Sequence, residues 1–161
     1  MLTPRLFGWP TVADAARTAA AAAISFLIAR LFGLPEAYWA PIITLVIMQS
    51  TLSATIQISF ERFVGTFLGA IAGGLLAGRF PQVWWIFALG IFALGIICAL
   101  LRLHNSYRFA GVTLAIVMLI PHTASPWTVA LHRSIEVSIG IVVGLVMAAI
   151  WPDPMQSASQ K

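Results

Sequence analysis

Charged residues are scarce in this chain. They make up 9% of its 161 residues, whereas 60% of the residues are hydrophobic. A soluble domain of this size typically has about 25% charged residues, which keep its surface hydrated. The composition therefore excludes a water-soluble domain and predicts an integral membrane protein.

Cysteine is nearly missing as well, and the reactive motifs of enzymes are absent. Cys98 stands alone in an apolar run, which excludes a disulfide framework or a cysteine-based zinc site within one chain. His104, His122 and His132 lie at or near the ends of apolar segments without metal-ligand spacing, so no metal is expected. Because no nucleophile elbow or phosphate-binding loop occurs, the sequence predicts no enzyme and no cofactor.

Runs of basic residues are the third absence. The net charge is +4, but the eight arginines and Lys161 are scattered singly along the chain. A nucleic-acid surface needs clustered basic residues, so no nucleic-acid partner is predicted. In a membrane protein, single basic residues at segment ends instead orient the helices in the lipid bilayer.

Long apolar segments are what the chain has in abundance. A spanning helix needs about 20 mostly apolar residues, and six such segments with short loops predict an all-α transmembrane domain over residues 1–161. Because the segment after Arg5 is long enough to span, we expect an uncleaved first helix rather than a signal peptide. The predicted helices are 12–32, 38–48, 54–78, 83–101, 106–120 and 126–151, followed by a short polar tail at 152–161.

The distribution of lysine and arginine predicts the orientation. Cytoplasmic loops carry an excess of these residues, and the excess falls on the inner side when both termini are cytoplasmic. The inner side then holds Arg5, Arg102, Arg108 and Lys161, and the outer loops hold Arg30 and Arg79.

The chain also contains an internal repeat. The stretch ERFVGTFLGAIAGG begins at Glu61 and HRSIEVSIGIVVGL begins at His132, and in both the arginine is followed by glycine seven and eleven positions later. The copies are offset by three helices, so they would cross a membrane in opposite directions. This predicts two three-helix inverted repeats, about 12–79 and 83–151, as in many transporters whose substrate sites lie between the halves.

Glycines recur every four positions within these copies. Small residues at this spacing let helix backbones approach closely, so helix packing is favoured over a pore-lining role. The glycines predicted to pack are Gly65, Gly69, Gly73, Gly140 and Gly144.

Arg62 and Arg133 are the charges placed deepest in apolar segments. Counted from Ala54 and Trp127, they lie about 12 Å and about 9 Å inside the membrane. Arginine there costs up to about 3 kcal/mol and usually faces a bundle interior or a water-filled path. Since a planar guanidinium suits a carboxylate, the sequence predicts an anion pathway. An orienting anchor held in an ion pair remains the alternative.

The carboxylates near these arginines differ in geometry. Glu136 lies three residues after Arg133 and shares its helix face, whereas Glu61 adjoins Arg62 and points elsewhere. Glu136 is therefore the first candidate for proton coupling and Glu61 the second, with a fixed salt bridge as the alternative for Glu136. Further residues that could line the pathway, or act as interface anchors and interhelical hydrogen-bond donors, are Tyr38, Trp39, Gln49 and Thr66.

The stretch PEAYWAPIITLVIMQSTLSATIQISFERFVGTFLGAIAG resembles the fusaric-acid-resistance-like family, within the aromatic acid exporter superfamily. The second copy, HRSIEVSIGIVVG, is similar to that family's last membrane helix through Arg133, Glu136 and Gly140. The residues that carry the first resemblance are Tyr38, Trp39, Ala40, Thr44, Gln49, Ser50, Arg62, Gly65, Thr66 and Gly69.

The resemblance implies a bacterial inner-membrane exporter of aromatic carboxylic acids or related organic anions, driven by protons. Longer members carry a cytosolic domain and a second membrane block that this chain lacks, which suggests that it works as a homodimer. Two other functions remain open at this stage. They are a passive anion channel, as in plant relatives, and a non-transporting scaffold or partner subunit.

Overall fold

The computed structural model describes residues 9–48, 52–103, 105–121 and 123–150, and within these ranges the chain is helical without strands. The prediction of an all-α fold is therefore confirmed. The helices are α1 (Trp9–Leu31), α2 (Trp39–Ile47), α3 (Leu52–Ala77), α4 (Trp84–Leu100), α5 (Ser106–Leu119) and α6 (Pro126–Ile150).

The six helices differ greatly in length. Three are long and apolar enough to cross a membrane, over Val12–Leu31, Ser53–Ala77 and Pro126–Ile150. Helices α4 and α5 are apolar but have 17 and 14 residues, and α2 has only nine. At 1.5 Å per residue, α2 extends about 13 Å, less than half the thickness of a bilayer core. The predicted total of six spanning helices thus remains a prediction.

Helix ends follow local chemistry. Helix α1 ends at Leu31, and Gly33, two residues later, has a φ of +67° that is strained for residues with a side chain. Pro41 sits in the first turn of α2, where the missing N–H costs little. At the start of α6, Ser125 accepts a 3.2 Å hydrogen bond from the Thr128 backbone N–H, and Pro126 occupies the first helical position.

Helices α3 and α6 cross in antiparallel directions at the centre of the bundle. Trp127, near the start of α6, packs on Gly74 near the end of α3. Farther along, Phe63 and Phe67 of α3 border the same cavity as Ser138 of α6. Because the numbering falls along one helix as it rises along the other, the two run in opposite directions.

Helices α3 and α6 each pack through their glycines against a short parallel helix. A Cβ atom added to Gly69 would overlap the carbonyl oxygen of Ala110 in α5, so only glycine permits this approach. On α6, a Cβ at Gly140 would lie 2.6 Å from the carbonyl oxygen of Ala40 in α2. Helix α5 therefore packs on α3 much as α2 packs on α6.

The other three glycines of this set make similar contacts. Gly65 meets the backbone of Ser106, Gly73 meets Val117, and Gly144 lies in ordinary contact with Ile47. The first turns of α5 and α2 consequently lie beside the middle of the long helices α3 and α6.

The outer surface is apolar and polar side chains lie inside. Phe60, Leu89 and Phe92 are more than half exposed, whereas Thr44 and Thr55 are fully buried. A water-soluble protein shows the reverse distribution. The arrangement fits a bundle whose surroundings are lipid.

The loops gather at two ends of the bundle. At one end, Pro35 of the α1–α2 loop and Pro121 of the α5–α6 loop border one cavity, and the Gln82 N–H of the α3–α4 loop bonds the Met118 carbonyl. At the other end, Asn105 of the α4–α5 loop reaches Glu61 on α3. Charged side chains between these ends define the candidate site.

Candidate functional site

Arg133 is the most enclosed cation of the described chain, with 2% of its surface exposed. Its Nη1 donates to Glu136 Oε2 at 3.2 Å, so the carboxylate one helical turn away lies where the sequence places it. The guanidinium carbon lies 4.0 Å from the centre of the Trp39 ring, a cation–π contact from α2. Arg133 is thus held from two sides.

Trp39 links Arg133 to a second carboxylate. The indole Nε1 donates to Glu36 Oε2 at 2.9 Å, which ties the first turn of α2 to the α1–α2 loop. Tyr38 packs on Trp39 with ring centroids 5.7 Å apart and remains half exposed. Partial burial, with the nearby Glu36 carboxylate, raises the pKa of the Tyr38 phenol. Arg133 thus has one carboxylate, Glu136, in direct contact and a second, Glu36, linked to it through Trp39.

Part of this cluster has unused hydrogen-bonding capacity. Arg133 Nε and Glu136 Oε1 are buried and have no hydrogen-bond partner among the described residues. Both side chains border a cavity of about 380 Å³ between the α1–α2 loop, the α5–α6 loop and α6. Its other lining residues are Pro35, Glu36, Pro121, Thr123, Ala124, Val129 and His132. We call this space the Arg133 cavity.

Arg62 lies on α3 in a different setting. It is 9% exposed, and its guanidinium carbon lies 4.8 Å from the centre of the Phe109 ring of α5. Its Nε has no hydrogen-bond partner among the residues that the structure describes. The neighbouring Glu61 turns away and accepts hydrogen bonds from Gln57 and Asn105 at 3.1 Å and 3.3 Å.

The difference between the two arginines has a packing reason. Glu136 occupies the position three residues after Arg133, and Gly65 occupies the same position after Arg62. A side chain at Gly65 would overlap the Ser106 carbonyl oxygen, because α5 lies directly against it. The first repeat therefore has no room for a carboxylate at this position.

The two arginines lie close enough for their positive charges to repel. From the antiparallel contact of α3 and α6, we estimate their separation along the helix axes at about 9 Å. Arg133 lines the Arg133 cavity, whereas Arg62 borders none of the four cavities described here. The structure thus brings the arginines near each other without showing one cavity that contains both.

The remaining predicted pathway residues are dispersed. Thr66 is buried on α3, one turn after Arg62. Thr44, which carries part of the family resemblance, donates from Oγ1 to the Ala40 carbonyl at 3.0 Å and lies 3.2 Å from the Gly140 carbonyl oxygen. Gln49 lies outside the described residues.

The sequence patterns did not predict the surroundings of His132 and Arg17. His132 borders the Arg133 cavity, although its spacing was considered only for metal binding. Arg17 on α1 is only 3% exposed, and its Nε lies 3.6 Å from Asp14 Oδ1. The spacing of three residues between Asp14 and Arg17 was the available signal.

A second cavity of similar size, about 400 Å³, has a different character. It lies between α1, α3 and α6 and is lined mainly by apolar side chains such as Ile28, Phe67 and Val142. Its hydroxyls, Ser134 and Ser138, each donate to a carbonyl one turn earlier in α6. Without a charged lining residue, this space lacks a group that selects an anion. No group of three potential metal ligands occurs among the described residues.

Together, these features define a class of protein: an all-helical bundle with three helices able to cross a membrane and with arginines enclosed among its helices. The model of the family described as fusaric acid resistance protein-like matches residues 22–147. The chain belongs to this family, and the resemblance inferred from its sequence is confirmed.

Curated relatives have longer chains. The uncharacterized transporter YdhK of Escherichia coli strain K12 is 34% identical over 148 residues, which cover 86% of this chain and 22% of YdhK. The inner membrane protein YeeA of the same strain is 32% identical over 162 residues, which cover 92% of this chain and 43% of YeeA. The chain therefore spans less than half the length of either relative. No solved structure matches it.

Proposed function

We propose that this protein is a membrane transporter that moves organic anions along a path containing Arg62 and Arg133. The observation that carries the proposal is Arg62, which is enclosed in the bundle with no anionic partner among the described residues. Burying an unpaired charge is costly, and intramembrane charges usually mark substrate or ion pathways. A passing anion would supply the missing countercharge.

Carboxylates are the ligands that best suit these groups. A guanidinium presents a planar fork of donors that matches the two oxygens of a carboxylate. Trp39 and Phe109 cover one face of Arg133 and Arg62, respectively, and leave the guanidinium edges as the donor sites. The family description, fusaric acid resistance protein-like, supports aromatic carboxylic acids as the substrate class.

The packing pattern supports two inverted repeats. Helix α3 carries α5 on its glycines, and the antiparallel helix α6 carries α2 in the corresponding way. Short helices that begin beside the middle of long ones resemble the discontinuous helices that form transporter binding sites. We therefore place the substrate path where α3 and α6 cross, between residues 12–79 and 83–151.

The names of the relatives support transport and a location in the inner membrane. One relative is named a transporter and another an inner membrane protein. We accordingly propose export across a bacterial inner membrane, with cytoplasmic termini and with proton coupling through Glu136 rather than Glu61. We further propose that two copies of the chain assemble as a homodimer.

Flux measurements in proteoliposomes test the transporter function. Radiolabelled benzoate should leave vesicles that contain the unmodified protein, and Arg62→Ala should reduce the rate about tenfold or more. Loss of a hydrogen bond to a charged group, about 1.5–3 kcal/mol, corresponds to such a factor. Arg79→Ala is the control, because Arg79 lies in an exposed loop.

Three outcomes would contradict parts of the proposal. Unchanged flux in a folded Arg62→Ala protein would remove Arg62 from the path. Voltage-driven anion currents that ignore a pH gradient would identify a passive channel. No flux of any tested anion, with a second protein copurifying in detergent, would favour the scaffold function.

A further inference from the structure

The Arg133 cavity holds an arginine that is already neutralised. Arg133 carries one positive charge, whereas Glu136 and Glu36, both bordering the cavity, carry up to two negative charges. A carboxylate entering alone would lie beside the buried carboxylate of Glu136. Like charges at such short range repel strongly where the dielectric constant is low.

Protonation of Glu136 would remove the repulsion between its carboxylate and an entering anion. The carboxylate would lose its charge and stop competing for Arg133, which would leave the guanidinium free for another anion. The unpaired Oε1 of Glu136 would then carry an O–H group and could donate a hydrogen bond. The unpaired Nε of Arg133 is a second donor at the same cavity.

We propose that the Arg133 cavity binds a carboxylic acid as two particles together, the carboxylate at Arg133 and one proton at Glu136. The proposal rests on the function proposed above and specifies how the proton and the anion are coupled: they move together, so export follows the concentration gradient of the acid and is not driven by an inward proton gradient. The proton comes from water and binds a Glu136 oxygen, the anion pairs with the guanidinium, and no covalent bond of the anion changes. One positive and one negative charge are added, so the net charge of the site stays constant.

The shape of the cavity indicates the body of this ligand. The Arg133 cavity adjoins a space of about 220 Å³, because Pro121, Ala124 and Val129 line both. That second space is bordered mainly by apolar residues such as Val117 and Ile120. A ligand with one carboxylate and one apolar body therefore fits better than a dicarboxylate.

Other charged and titratable groups surround Glu136. Glu36 and Tyr38 face Glu136 from the α1–α2 loop, and His132 and Arg133 belong to α6. Arg62, on α3, interacts with Arg133. Glu36 already accepts a hydrogen bond from Trp39, and His132 borders the cavity. Glu136 is the carboxylate that contacts the arginine directly, so we assign the proton to it.

Arg62 differs from Arg133 in how it would bind an anion. It has no carboxylate partner among the described residues, so an anion that binds there needs no accompanying proton. Anion binding at Arg133 should consequently depend on pH, and anion binding at Arg62 should not.

The first experiment counts protons bound by the unmodified protein. Purified protein in weak buffer with a pH-sensitive dye is mixed with benzoate, and with uncharged benzamide as the control. We expect about one proton taken up per benzoate bound at the Arg133 cavity and none for benzoate at Arg62, with binding at the cavity that weakens by up to tenfold per pH unit where Glu136 loses its proton. Benzamide should cause no uptake.

The second experiment compares Glu136→Gln with Glu61→Gln. Glutamine at 136 cannot bind a proton, so benzoate should bind without proton uptake and its flux should respond to an imposed voltage. In the unmodified protein and in Glu61→Gln, flux should carry a proton with each anion and respond little to voltage. Glu61 lies outside the cavity, and its amide partners can also bond a glutamine.

The outcomes separate this inference from the proposed function. Benzoate binding and flux without proton uptake by the unmodified protein would overturn the inference and leave an anion transporter. Retained uptake in a folded Glu136→Gln protein would move the proton to another group and equally overturn it. Absence of benzoate binding at every pH would remove both proposals. Should Glu136→Gln fail to fold, the proton count of the unmodified protein still decides.

Discussion

At the scale of single residues, Trp39 has two roles in one side chain. Its ring face covers the Arg133 guanidinium, and its Nε1–H bonds Glu36. A cation–π contact away from water contributes about 2 kcal/mol, and a hydrogen bond to a charged group contributes about 1.5–3 kcal/mol. The indole therefore couples the loop before α2 to the charged centre on α6.

Substitution of Trp39 should separate these roles. Trp39→Phe keeps an aromatic face but removes the donor, so we expect a moderate drop in thermal stability in detergent. Trp39→Leu removes both and should lower stability further, by up to a few kcal/mol in total. Differential scanning fluorimetry measures the order, and Trp84→Leu is a control because Trp84 is 76% exposed. Equal effects of the two Trp39 variants would show that the ring face contributes nothing.

The pairing of Arg133 with Glu136 could be predicted from the sequence because both lie on one helix, where a spacing of three residues determines proximity. The contact with Trp39 could not, because Trp39 belongs to α2 and only helix packing brings it to α6. The same holds for Arg62 and Phe109. A cation–π contact between helices leaves no periodic signal in either segment.

At the scale of helices, glycine determines how closely α3 and α5 approach. A methyl group at Gly69 would overlap backbone atoms of Ala110, which cannot move as a flexible side chain could. Gly95 on α4 offers the opposite case, since a Cβ there would meet nothing within 4 Å. The two positions form a matched pair within one chain.

We expect Gly69→Ala to reduce the yield of folded protein and Gly95→Ala to leave it unchanged. The first variant must push α5 away from α3, whereas the second adds a methyl group in open space. Size-exclusion chromatography of fluorescent fusions in detergent compares the monodisperse fractions. A normal elution profile for Gly69→Ala would show that the α3–α5 interface tolerates separation.

Helix positions were predicted closely because apolar runs and their proline and glycine boundaries are local signals. Whether α2 and α5 span a bilayer could not be predicted in the same way. A run of apolar residues does not show whether its helix extends through the bilayer or begins beside the middle of a neighbouring helix. Contacts of Ser106 with Gly65, and of Ala40 with Gly140, reveal those starting points.

At the scale of the whole molecule, the loops separate into two groups at opposite ends of the bundle. Phe32 belongs to the end that holds the Arg133 cavity, and Leu101 belongs to the α4–α5 loop near Glu61; both side chains are exposed. The predicted orientation places the first group outside the cell. Cys98 is fully buried, so replacing it yields a background without reactive thiols.

Labelling of single cysteines tests this orientation. In a Cys98→Ala background, Phe32→Cys should react with an impermeant maleimide in intact cells, and Leu101→Cys should react only after permeabilisation. The reversed pattern would place both termini outside. Reaction of both positions from the same side would contradict the separation of the loops.

By itself, the sequence determined the all-helical character, the approximate helix positions, the family and the identity of the two arginines that lie within long apolar helices. These follow from composition, from apolar runs and from charges placed within such runs, all of which are local. Only the tertiary structure decided which arginine borders a cavity and which aromatic ring covers each guanidinium, because both depend on how α2 and α5 pack against α6 and α3. Close packing at Gly65 leaves no room for a carboxylate three residues after Arg62, whereas the space beside Glu136 gives Arg133 its cavity.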